Sequence, residues 1–378
     1  MGNAATGIHF PSKYMLNMTG VEYCIRRQIP MQDLHGWDGR KAVGFEWRSC
    51  RADLIEKLVM LDLLSHIEIN RPEFVSIRNQ LISMTQSILT GAFTARFRSE
   101  LRRRIASEPT LTATFAKPSA MALLADYASI AAALQSQARR IALIRAAIKA
   151  ECGENSPNGI SPFEIDEGPR SIDGLIDAID NKTMLTLALA GPNAVRFAAE
   201  MALVFARRIG LAGHLSLLLM ELIQIAEKSY FQSLTSHDRV ARAHPEEVQS
   251  LLAEPEYRER LIRIATQRGE SMILDISFDG LTGLCPGSGV LGIAVRTKGL
   301  IGHAWLGMGR MSRADSLKTT NLECLLKSAA RDDQFAELSL AYYAAFEEAC
   351  ARENIGFTSS VILDGKTNET VTTMRIAI

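Results

Sequence analysis

Apolar positions recur every three or four residues at Leu54, Leu58, Leu61 and Leu64 or Ser65, which predicts an amphipathic helix opening near Arg51. Asn70-Arg71-Pro72 breaks that pattern, because proline disfavours a helical residue before it. A second stripe, through Ile77, Leu81, Met84, Ile88, Phe93 and Phe97, predicts a helix from Glu73 to about Ile105. Beyond Pro118 a third stripe, Leu123, Tyr127, Ile130, Leu134, Ile141 and Ile148, predicts a helix over Ser119 to Cys152. Long helices joined by proline-containing turns imply a helical hairpin or bundle over residues 51–152. Residues 1–50 carry little periodicity and read as a short mixed segment of strands and turns.

The stretch GENSPNGISPFEIDEGPRS is rich in Gly, Pro, Ser and Asn, so residues 153–170 read as a linker and domain boundary. The pattern then changes. Met184 to Ala190 reads as a strand, Asn193 to Ile209 as a helix, and Leu215 to about Leu234 as a further helix. Ser271 to Phe278 and Gly289 to Arg296 are apolar enough for buried strands. Helices are expected over Ser316 to Ala330 and Phe335 to Asn354. Phe357 to Leu363 and Thr370 to Ile376 alternate as closing strands do. The expected class is α+β: an N-terminal, mostly helical region, then an α/β sandwich over 171–378 with one helical layer on a mixed sheet.

Composition narrows the function classes. Basic and acidic residues balance at 42 each, so no net charge draws the chain to nucleic acid or an acidic membrane. The basic run Arg102-Arg103-Arg104 is expected to be a solvated helix face. The six cysteines form no CxxC pair, which argues for free thiols in a reducing cytoplasm. The N-terminal residues lack the basic and apolar regions of a signal peptide, although Met-Gly-Asn-Ala-Ala-Thr formally fits a myristoylation pattern. The longest apolar run, Leu215 to Met220, is too short to span a bilayer.

Within LSLLLMELIQIAEKS, Glu221 places a charge on an apolar helix, where a charge needs a reason. The order Glu221-Leu222-x-x-x-Ala226 resembles the first motif of the histidine-kinase-type (GHKL) ATPases, Glu-Leu-x-x-Asn-Ala. In that family the Glu acts as base and the Asn holds Mg²⁺, and here the Asn position is Ile225, which has no oxygen. The element order of the second half also resembles that of the family. The adenine-binding Asp-x-Gly-x-Gly corresponds to Thr297-Lys298-Gly299-Leu300-Ile301-Gly302, without the carboxylate and with different glycine spacing. The phosphate-binding Gly-x-Gly-Leu-Gly-Leu at a helix start corresponds to Phe335-Ala336-Glu337-Leu338-Ser339-Leu340. There Phe335, Glu337 and Ser339 stand at the glycine positions, a ring and a carboxylate where phosphates would lie.

What the resemblance implies is a cytoplasmic, bacterial signalling protein whose ATPase-like domain has lost its chemistry, with no cofactor. It would work by contact with a kinase, a response regulator or a regulatory factor, and dimerise through its N-terminal helices. An enzyme reading stays open: a divergent histidine kinase binding ATP and Mg²⁺, or a phosphotransferase, with His66 as phospho-acceptor on the first helix, followed by Glu68 and Pro72. So does an α/β interaction protein of unrelated fold. The plainer reading of Glu221 is a carboxylate satisfied by a neighbouring cation. His237-Asp238-Arg239 reads as a solvated turn capped at Ser236 or Asp238, and Cys285 to Gly292 as a turn between strands.

Overall fold

A computed structural model describes residues 12–28, 32–37, 40–44, 52–107, 169–179, 183, 187, 192–238, 248–279, 289–298, 318–329, 334–364 and 367–378. The chain forms two compact units, one of Met1–Ser87 with Gly213–Ile378 and one of Ile88–Ala212.

The first unit contains a nine-stranded sheet. Its strands are β1 (Ser12–Leu16), β2 (Gln32–Trp37), β3 (Arg40–Gly44), β4 (Leu64–Arg71), β5 (Met272–Asp279), β6 (Val290–Lys298), β7 (Lys318–Thr320), β8 (Gly356–Asp364) and β9 (Glu369–Ala377). They lie in the order β2-β3-β1-β4-β5-β6-β9-β8-β7. Every pairing is antiparallel, which corrects the expected mixed sheet. The hairpins β5–β6 and β8–β9 adjoin through β6 and β9, as the alternation of their residues prepares them to do.

Register makes the core. Tyr14, Ile67, Ile276, Ile293 and Met374 stand opposite one another across five strands, and each is essentially inaccessible. The neighbouring row on the other face is Lys13, Glu68, Asp275, Ala294, Thr373 and Ser360. Helices α1 (Met18–Arg26), α2 (Ala52–Met60), α6 (Val248–Ala253), α7 (Pro255–Arg268), α8 (Leu322–Ala329) and α9 (Gln334–Arg352) also belong to this unit. On the apolar face, α9 sets Phe346 edge-on against Phe357 of β8 at 4.9 Å between centroids, and Tyr343 Oη lies 3.1 Å from Ser359 Oγ.

Helix α2 ends at Met60, five residues before Ser65. Asp62 takes a positive φ of 55°, with Asp62 N–H donating to the Val59 carbonyl and Leu63 N–H to the Leu58 carbonyl at 2.9 Å each. From Leu64 the period becomes two, so the residue expected on a helix, His66, lies on the interior strand β4. The helical spacing of Leu61 and Leu64 spanned a turn. In consequence strands β1 to β4 extend the same sheet as the strands of the C-terminal half, and one compact unit joins Met1–Ser87 with Gly213–Ile378.

Two long helices carry the chain between the units: α3 (Arg78–Ser107), entered through a 3-10 turn at Val75–Ile77, and α5 (Pro192–Thr235). All six residues of the second predicted stripe are buried along this turn and helix. The two helices expected over Asn193 to Leu234 are one, continuous through Gly210 and Gly213. In the second unit α4 (Pro169–Ala178) buries Leu175 and Ile176, and Phe97 of α3 meets Phe205 of α5 edge-on at 5.6 Å. Leu187, inside the strand expected at Met184 to Ala190, is helical. The helix expected over Ser119 to Cys152 and the linker to residue 168 lie outside the described residues. Segment Phe197–Thr235 is long and apolar enough to cross a bilayer, but 61 % of its most apolar stretch is buried within the protein, as in the core helix of a globular fold.

Candidate functional site

The first unit carries a half-open cavity of about 610 Å³ beside α5. Helical spacing explains how one element supplies most of its wall: Glu221, Ile225 and Lys228 follow one another on one stripe, and Met220, Gln224, Glu227 and Phe231 on the next. The corner after β4 contributes Phe74, Val75 and Arg78. Leu252 and Ala253 come from α6, Arg258 from α7 and Ser339 from α9.

Three residues singled out from sequence meet here. Ser339 Oγ donates to Glu221 Oε2 at 3.3 Å, bridging 118 positions of chain, and Ile225 stands one turn further along α5. Glu221 thus has a hydroxyl partner, where the plainer reading expected a cation. The other expected residues fall elsewhere or outside description. Thr297 is buried on β6, where its hydroxyl donates to the Lys298 carbonyl at 3.0 Å, and it does not line the cavity. Phe335 and Glu337 belong to the first turn of α9, and their side chains lie outside the described residues. His66 is absent from this wall; its Nε2 faces Asp275 Oδ1 of β5 at 3.0 Å.

Sequence reasoning passed over Glu227, a second carboxylate in the same apolar run. It is 5 % exposed and accepts the backbone N–H groups of Phe74 and of Val75, the latter at 3.2 Å. Burial pushes its carboxyl up to about 7, helped by Glu73 and opposed by the two N–H donors and Arg258. The guanidinium of Arg258 is anchored by Nε donating to the Leu252 carbonyl at 2.7 Å. Arg78, Lys228 and Arg258 are exposed, whereas Phe74, Met220, Ile223 and Phe231 are buried, so cations rim an apolar interior. Asp238 also departs from its expected solvated turn: it is 2 % exposed, accepts from Tyr257 Oη at 3.0 Å and pairs with Arg260 at 2.6 Å.

The Mg²⁺–ATP of the enzyme reading does not fit this wall. Mg²⁺ takes oxygen ligands in near-octahedral geometry, and the position of the metal-holding Asn presents the alkyl chain of Ile225. One Glu227 oxygen is already engaged by two amides, and Glu221 by Ser339.

Fold and cavity together define an α+β protein, a helical layer on an antiparallel sheet with a cation-rimmed apolar cavity beside helix α5. The chain belongs to a family described as of unknown function, DUF8084, whose match covers residues 3–378. No curated protein and no solved structure matches it.

Proposed function

We propose that this chain is a non-catalytic regulatory protein of the cytoplasm. Its GHKL-like portion has lost the residues for Mg²⁺ and phosphate and acts by contact with signalling proteins: a kinase, a response regulator or a regulatory factor. The observation that carries the reading is the meeting of Glu221 with Ser339 beside Ile225. Positions that stand for the first and third nucleotide motifs share one cavity, yet the metal-holding oxygen is replaced by alkyl and a glycine by a hydroxyl that occupies the would-be base. The order α5, α6, α7, β5, β6, β7, α8, α9, β8, β9, a helical stretch and then strand pairs around a helix pair, further supports it.

The test is a thermal shift with ATP and ADP, with and without Mg²⁺. A ligand at a hundred times its Kd adds about 2.7 kcal/mol of stability, readily seen as a rise in Tm. The wild type is expected to show none, and a Mg²⁺-dependent rise would return the chain to the kinases. A second reading, an interaction protein of unrelated α+β fold, draws on the fully antiparallel sheet. Combining Ile225→Asn, Phe335→Gly and Ser339→Gly separates the two. Gain of a Mg²⁺–ATP shift favours the GHKL-like cleft, and a folded variant with no gain favours the unrelated fold.

A further inference from the structure

We propose that the cavity beside α5 binds a small amphipathic anion, an aliphatic monocarboxylate. Its chain would lie among Phe74, Met220, Ile223 and Phe231, and its carboxylate would meet the rim of Arg78, Lys228 and Arg258. The inference goes beyond the regulatory reading and rests on the cavity alone, independent of any ATPase resemblance.

Size admits such a ligand: about 610 Å³ falls within the roughly 300–1,000 Å³ of pockets that enclose small organic molecules. Polarity selects it. The buried part of the wall is apolar apart from Glu227 and Ser339. Glu227 receives two backbone N–H groups, and Ser339 donates to Glu221. A ligand that brought polar atoms to this depth would leave them poorly paired, whereas methylene groups meet no such penalty. The three cations of the rim outnumber the two carboxylates of the wall, the nearby Glu73 is paired with Arg71 at 3.5 Å, and burial holds Glu227 partly protonated near neutrality, so the local field favours an anion. An exposed guanidinium beside an apolar interior suits a head that keeps contact with water and a chain that does not.

The experiment is calorimetric titration of the full chain with decanoate below its micelle-forming concentration, with decanol and ATP as comparison ligands. Saturable one-site binding of decanoate is expected, with decanol about tenfold weaker for want of the charge-assisted contact. Arg78→Gln is expected to weaken decanoate about tenfold while leaving decanol unchanged. Ile225→Trp, which fills the cavity, is expected to remove both. Absence of saturable decanoate binding overturns the proposal. So does equal affinity for decanol, or full affinity in a folded Ile225→Trp. If Ile225→Trp does not fold, the Arg78→Gln comparison decides. Mg²⁺-dependent binding of ATP without decanoate would overturn this proposal and the regulatory reading together. Binding of both would overturn only the latter.

Discussion

Glu227 holds the backbone of Phe74: a carboxylate on α5 accepts the N–H that opens the turn into α3, across 153 residues of chain. The bond sets the price of a buried acid against the need of a helix start for acceptors. Burial is the larger effect, since the carboxyl rises from 4.5 to about 7 despite its two N–H donors.

That rise makes stability depend on pH in a definite direction. Between the unfolded value near 4.5 and the folded value near 7, the folded state binds more protons, so stability falls as pH rises through this window. The full loss is on the order of 3 kcal/mol. Glu227→Gln keeps an acceptor for Phe74 and removes the titration. Melting curves from pH 4.5 to 8 should show a flatter profile for the variant, with its largest advantage at the alkaline end. An unchanged profile would show that Glu227 does not titrate there.

Asp238 is a buried carboxylate shared by Tyr257 and Arg260. Burial and that hydrogen bond push the Tyr257 phenol up to about 12, so it remains a donor throughout the physiological range. Asp238→Ala strands the buried Tyr257 hydroxyl, whereas the exposed Arg260 keeps its water, and should cost about 1–3 kcal/mol in urea denaturation. Asp238→Asn, which retains one acceptor, should cost less. A loss below 0.5 kcal/mol on the Ala variant, about the size of a surface change, would place Asp238 among the solvated residues.

Gly20, in α1, faces the carbonyl of Leu63, which already accepts the Asn17 N–H at 3.0 Å. A methyl group there would collide with backbone that cannot rotate aside. Alanine gains up to about 1 kcal/mol of helix propensity, whereas overpacking costs about 1–3 kcal/mol. The clash should win, and Gly20→Ala should lower the urea midpoint without altering the slope.

His66 offers a test of the enzyme reading. Its side chain is 13 % exposed on the interior strand β4, with Nε2 directed at Asp275. A phospho-acceptor imidazole needs a nitrogen open to the donor. Incubation with labelled ATP or acetyl phosphate should therefore leave no acid-labile phosphate on the chain. Label that appears in the wild type and vanishes in His66→Gln would reverse this assignment.

Particular elements show where local pattern sufficed. Strands β5 and β6 were legible from their apolar runs and β8 and β9 from alternation, since both are properties of a strand by itself and survive any choice of neighbour. The stripe of α3 was legible for the same reason. At Leu61 to Leu64 the spacing of a helix continued across a turn, and the positive φ of Asp62 was invisible in a residue that rarely adopts it. Gly210 and Gly213 do not end α5, since flanking Leu211, Ala212 and Leu215 are buried and packing outweighs roughly 1 kcal/mol per glycine. The candidate site was half legible: Glu221, Ile225 and Ser339 could be named, but Glu227, Arg258 and Arg78 carry no motif.

By itself the sequence determined the periods: which residues form strands in the C-terminal half, which face of α3 is apolar, and that Glu221 lies on an apolar helix. These follow from side-chain geometry repeated along one segment. Tertiary structure alone decided that residues 12–71 complete the sheet, that the sheet is antiparallel throughout, and that Glu227 reaches Phe74 while Ser339 reaches Glu221. The joining of β4 to β5 and the two side-chain contacts depend on pairing between segments more than a hundred residues apart, and such pairing is fixed by which surfaces bury one another and by no pattern within either segment.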